Sequence, residues 1–115
     1  MRISKIVDLI NGRIITQGNQ KNDFEFSYAF SSDLMSDVLR INNDNTVLIT
    51  GLCNIQTIRT VEMAEIKCVI IARGKKSDSM MTELAEENDI CIIETEYSVF
   101  RVSGILYQNG IKPIY

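Results

Sequence analysis

Apolar residues recur along this chain in two rhythms. In residues 46–74 the runs Val47-Leu48-Ile49 and Cys68-Val69-Ile70-Ile71-Ala72 are unbroken and rich in β-branched side chains. That pattern predicts short strands covered on both faces. Between them Ile55, Ile58, Val61 and Ala64 fall at every third position, leaving Gln56, Arg59 and Glu62 outside the stripe. This is a helix with one buried side. Parallel strands need a crossover of about a dozen residues. A right-handed strand-helix-strand unit is therefore expected, with the rest of the chain arranged around it.

Towards the N-terminus, Ile3, Val7 and Ile10 keep helical spacing behind Ser4 as an N-cap, and Asn11-Gly12 supplies a left-handed stop. Residues 13–16 read as a strand and residues 17–22 as a polar turn. Phe24, Phe26, Tyr28 and Phe30 then alternate with Glu25, Ser27 and Ala29. Period two predicts a half-buried strand over residues 24–30. Ser31, Ser32 and Asp33 open a helix whose apolar side is Leu34, Met35, Val38 and Leu39. Asp33 and Asp37 then share a helix face, the arrangement a carboxylate pair needs for metal or acid-base work, while a cap-region carboxylate and a solvated one explain both and are the favoured reading.

After the central unit, Ser77 or Asp78 caps a helix that buries Met80, Met81, Leu84 and Ala85. A strand follows at residues 90–93, then a helix over 96–109 that buries Val99, Val102 and Leu106 and carries Phe100 and Tyr107 on its flank. Gly110 stops it, and Ser103-Gly104 would let another backbone come close. The tail of residues 111–115, extended around Pro113, is either a last edge strand or an arm on a partner. This order predicts a single α/β domain over residues 1–115: three layers, a mixed and mostly parallel sheet of about five strands, and helices on both faces.

Composition narrows the function. The 115 residues have a net charge of -3 and no run of Lys or Arg longer than Lys75-Lys76, so neither nucleic acid nor a membrane surface is an expected partner. Apolar runs are far short of the roughly twenty residues of a membrane helix, and the N-terminus lacks the apolar core of a signal peptide. A cytoplasmic location is expected. Three separated cysteines, Cys53, Cys68 and Cys91, agree with a reducing compartment. Cys68 and Cys91 read as core, whereas Cys53 precedes a helix start that would favour a thiolate. The chain has no histidine, which removes His-based triads, His-containing zinc sites and imidazole acid-base chemistry. No cofactor, no metal and no catalytic residue is expected, and the chain is read as not an enzyme.

Open parallel sheets bind ligands outside the carboxyl ends of their strands. The candidate ligand crevice is accordingly Thr50, Gly51, Asn54, Arg73, Gly74 and Thr95, where a helix N-terminus offers amides to a small anionic ligand or nucleotide. No dinucleotide or P-loop glycine spacing surrounds Gly51. A second candidate surface is a dimer interface of Phe24, Phe26, Tyr28, Phe30, Ile114 and Tyr115, too much apolar surface for a small domain to hide alone. The favoured expectation is a non-catalytic regulatory or interaction domain that forms a homodimer. The alternative is a sensor of a small anionic ligand or nucleotide.

Several segments together resemble the DRTGG domain family: residues 32–39, Asn54-Ile55 behind the strand at 47–50, residues 69–74, and residues 92–95 followed by Leu106-Tyr107. The resemblance spans nearly the whole chain. It implies the fold of a regulatory insert found beside CBS domains in some pyrophosphatases and in some phosphotransacetylases, similar also to the N-terminal domain of HPr kinase. For stand-alone members it implies a partner enzyme, a hydrogenase among them. At the family signature Asp23 and Ser27 stand where the aspartate and threonine are expected, while Phe24 replaces the arginine and Tyr28 and Ala29 replace the two glycines.

Overall fold

The two apolar runs of the central unit lie side by side as parallel strands, Val47 opposite Cys68 and Thr50 opposite Ile71, in the computed structural model of the chain, which describes residues 1–18 and 24–115. Around them the order is α1 (Ile3–Ile10), β1 (Arg13–Gln17), β2 (Tyr28–Ser31), α2 (Met35–Val38), β3 (Thr46–Thr50), α3 (Ile55–Met63), β4 (Cys68–Ile71), α4 (Ser79–Glu87), β5 (Cys91–Glu94), α5 (Val99–Gln108) and β6 (Lys112–Pro113). These strands form one sheet in the order β1-β5-β4-β3-β2-β6. All neighbours are parallel except β1, which runs antiparallel to β5. The tail thus supplies a sixth strand, at the edge.

Every residue of β3, β4 and β5 is buried, as unbroken apolar runs require. Because successive side chains point to opposite faces, Val47, Ile49, Cys68, Ile70, Cys91 and Ile93 pack with α1 and α5. Leu48, Val69, Ile71 and Ile92 pack instead with residues of α2, α3 and α4. The result is the expected three-layer α/β domain. Asn54, Asp78 and Ser98 cap α3, α4 and α5, each side chain accepting from the amide three residues on. Among the described residues no helix is long and apolar enough to cross a membrane.

Several expectations need correction. Helix α1 starts one residue earlier than its proposed cap: Arg2 occupies the N-cap position, without a side-chain cap, and Ser4 lies within the helix. Burying Ile3 with Ile6 and Ile10 fixes that start. Asn11 does end the helix, at φ 50. The aromatic alternation at 24–30 is not one strand, since β2 begins at Tyr28. Both Ser27 and Tyr28 donate their amides to the carbonyl of Asn45, so the chain enters the sheet only there. Helix α2 is a single turn whose entry is set by Ser32, the Oγ of which accepts from the Leu34 amide at 2.9 Å. Met80 faces solvent rather than the core. A Cβ on Gly104 would meet nothing within 4 Å, so among the described residues no other backbone of this chain packs there. The turn expected at 17–22 falls, beyond Gly18, outside the described residues, as does Asp23.

Candidate functional site

The carboxyl ends of β3, β4 and β5 do converge. Gly51 leaves β3 directly beneath Arg73, the guanidinium of which donates to the Gly51 carbonyl at 3.3 Å. A Cβ at position 51 would lie 2.7 Å from Arg73 Nε, so glycine is needed to admit the guanidinium. Arg73 and Gly74 both take left-handed backbone conformations, φ 65 and φ 72. That turn aims their amides at β5 and beyond: Arg73 donates to the Tyr97 carbonyl and Gly74 to the Thr95 carbonyl, each at 2.9 Å. Thr50, Gly51, Arg73, Gly74 and Thr95 therefore lie together at the carboxyl ends of β3, β4 and β5, with Asn54 at the start of α3.

The hydroxyls of Thr50 and Thr95 and the amides of Gly51, Arg73 and Gly74 are nevertheless spent within the chain. Asp33 Oδ1 accepts from the Thr50 hydroxyl and from the Gly51 amide, each at 2.8 Å. The Gly51 amide first, the Thr50 hydroxyl next and the charge of Arg73 hold the Asp33 carboxyl below its ordinary range, against the opposing effect of burial. Asn54 Oδ1 is committed to the Thr57 amide. The Thr95 hydroxyl donates to the Ile10 carbonyl at 2.7 Å and accepts from the Tyr97 amide. An acid of the chain thus holds both the Thr50 hydroxyl and the Gly51 amide. Asp33 lies ahead of α2 and shares no helix face with Asp37.

A second carboxylate, not singled out in the sequence, closes the neighbouring turn. Glu94 ends β5 almost fully buried and accepts from the Ser77 amide at 2.7 Å and the Ser77 hydroxyl at 2.6 Å. Arg13 approaches its other oxygen at 3.6 Å and Lys76 at 3.9 Å, and both cations also reach Glu96. An acid at the end of an otherwise apolar strand was the available signal for this role. Cys53 is not a primed nucleophile: loss of water first, then Glu94 and Asp78, push its thiol up despite the helix start. Its Sγ rests 3.9 Å from Met81 Sδ. Among the described residues no group of three His, Cys, Asp or Glu side chains could hold a metal ion.

The candidate dimer residues divide. Phe26 is 1% exposed and lies in the core between α1 and α5, with the half-buried Phe24 ring 6.2 Å away. Phe26 is thereby removed from any partner surface: its side chain is needed to fill this chain's own interior. Tyr28 and Ile114 are half-buried. The half-buried Phe30 meets Tyr115 edge-on at 5.8 Å, and Tyr115 is 81% exposed. Along this edge an apolar cleft of about 240 Å³ opens over Ile49, Leu106 and Ile111, rimmed by Phe30, Tyr107 and Tyr115. On the other side of Tyr115 a second depression is lined by Phe30, Asp37, Arg40 and Tyr115.

The backbone of the same edge has its own constraint. Lys112 pairs with Tyr28 and donates its amide inwards to Ser27 at 2.9 Å. In a parallel ladder the next residue faces the other way. That residue is Pro113, which has no N–H to offer. A further strand is poorly received there, and anything that docks must do so through side chains.

A family model described as the DRTGG domain matches residues 5–109. The crystal structure of the CBS and DRTGG domains of the regulatory region of Clostridium perfringens pyrophosphatase, complexed with the activator diadenosine tetraphosphate, is similar over 96% of this chain, with a TM-score of 0.80 and 15% identity. At that identity the likeness is one of fold. This chain spans 47% of that one, about half its length. Among curated proteins no match is found.

Proposed function

The chain belongs to the DRTGG domain family, and from that premise we propose that it is a non-catalytic regulatory domain that works by protein contact, pairing with a second copy of itself in the cytoplasm. The carrying observation is the sheet edge at β2 and β6, where Phe30, Tyr107 and Tyr115 surround an open apolar cleft, while at the strand ends the Gly51 amide is held by Asp33. Exposed aromatic clusters of this kind are where interfaces draw their energy. The solved relative is itself part of a regulatory region. A metabolic enzyme, a hydrogenase among the candidates, would be the regulated partner of the pair. No reaction is assigned: the chain has no histidine, and the Thr50 and Ser77 hydroxyls that reach a carboxylate serve as hydrogen-bond donors that tie segments of the chain together. Light scattering on the purified chain tests the reading: the expected molar mass is twice 13.0 kDa. A mass of one chain at all concentrations would overturn it.

A second reading has one observation of its own. The solved relative is complexed with diadenosine tetraphosphate, and the exposed Arg73, Lys75 and Lys76 follow the end of β4 here. Phosphate of such a ligand would have to displace Asp33 from the Gly51 amide. Thermal melts with nucleotides and inorganic phosphate test this, because a ligand at a hundred times its Kd adds about 2.7 kcal/mol. An unchanged melting temperature across the panel would eliminate it.

A further inference from the structure

We infer that the paired copies meet about a two-fold axis passing through the depression between α2 and the tail, with Asp37 of each protomer against the partner's Arg40. This rests on the homodimer reading above and adds the register. A two-fold interface is self-complementary: if one residue meets a second across the axis, the second meets the first. The depression lined by Phe30, Asp37, Arg40 and Tyr115 has that property. It carries one acid and one base beside two aromatic rings packed edge-on, and shares those rings with the cleft.

The two charges are close in sequence, yet no ion pair joins them. Among the described residues neither side chain has any hydrogen-bond or ion-pair partner, in contrast to Asp33, Glu94 and Arg73. Rotation about the axis supplies both with partners at once and stacks Tyr115 on its own copy. Unpaired charges of opposite sign bordering an apolar patch favour a second copy over a partner of one dominant charge.

Size sets how far the contact must extend. A stable interface buries about 800 Å² on each partner, roughly an eighth of this chain's 6342 Å². Four residues do not provide that area. Leu39, 47% exposed beside Arg40, and Tyr107, 68% exposed across the cleft from Tyr115, extend the patch on either side.

Charge reversal gives a test with internal controls. In Asp37→Arg both facing positions become basic, and in Arg40→Asp both become acidic. Each variant alone should dimerise at least tenfold more weakly in sedimentation equilibrium, with an unchanged far-UV spectrum. An equimolar mixture of the two should recover the affinity as a mixed dimer, visible by native mass spectrometry, and so should the double swap within one chain. The unmodified dimer should also weaken with added salt, which requires no substitution. If the unmodified chain dimerises but neither reversal nor salt changes its affinity, the register is overturned and the dimer reading stands. If the unmodified chain is monomeric, both fall.

Discussion

Removing the Asp33 carboxylate tests the crevice most sharply, because that one oxygen holds two buried donors. In Asp33→Ala the Thr50 hydroxyl and the Gly51 amide both lose their acceptor, and both residues are buried. Hydrogen bonds to a charged group contribute about 1.5–3 kcal/mol each. Asp33 itself is exposed, so water reaches the vacated position and solvent screens its charge. A loss of about 1–2 kcal/mol in total is the expected result. Asp33→Asn keeps Oδ1 as an acceptor and should lose less than about 1 kcal/mol.

Urea unfolding followed by far-UV circular dichroism reads this directly. With a urea slope of about 1–3 kcal/mol per molar, the midpoint of Asp33→Ala should fall by roughly 0.5–1 M. The acid dependence has a definite sign. Asp33 is held below its ordinary value of 3.8 in the folded state, so its charge stabilises above the unfolded value and ceases to do so as pH falls through the folded one. The gap between wild type and Asp33→Ala should therefore narrow in acid. An alanine variant as stable as wild type at neutral pH would refute the claim that Asp33 ties down the Thr50 hydroxyl and the Gly51 amide.

Three further outcomes follow from the fold. Gly18→Ala should cost about 2 kcal/mol or more, since its φ is +58 and a Cβ would sit 2.7 Å from the Cys91 amide nitrogen, whereas Gly104→Ala, open on all sides within α5, should stabilise by about 0.5–1 kcal/mol. Thermal melts of both variants check the contrast. Thr16→Val should cost about 1–2 kcal/mol by urea unfolding, because the Thr16 hydroxyl donates to the Ile90 carbonyl and accepts from the Ile92 amide where β1 bulges against β5. Phe26→Ala should cost about 3–5 kcal/mol by the same measurement at every protein concentration, as a core cavity does and an interface residue does not.

The middle of this protein is legible in its sequence because burial on both faces leaves an unmistakable mark. The runs at Val47 and Cys68 admit no polar residue, and the structure covers them completely. Asn54 and Asp78 are equally readable, since a short polar side chain ahead of a helix has one efficient use. Asp33 is the instructive failure. Ahead of Leu34 and Met35 it reads as a helix-start acid, but Ser32 sets the turn and Asp33 reaches across to Thr50 and Gly51. Local spacing carries no trace of so distant a partner. Phe26 failed for a different reason: alternating aromatics announce period two without stating which side faces the core, and no strand forms at 24–27. Glu94 was missed because its burial depends on Ser77, Arg13 and Lys76 arriving from two other segments.

Pairing through the tail edge is best tested by sedimentation equilibrium on the unmodified chain and on Tyr115→Ala, run side by side over a wide range of concentration. Tyr115 is exposed and leaves the interior untouched when truncated, so both chains should remain folded, with the unmodified one fitting a reversible dimer and the variant shifted strongly towards monomer. A single-chain mass for the unmodified protein, or a dimer indifferent to the loss of that ring, would contradict the account.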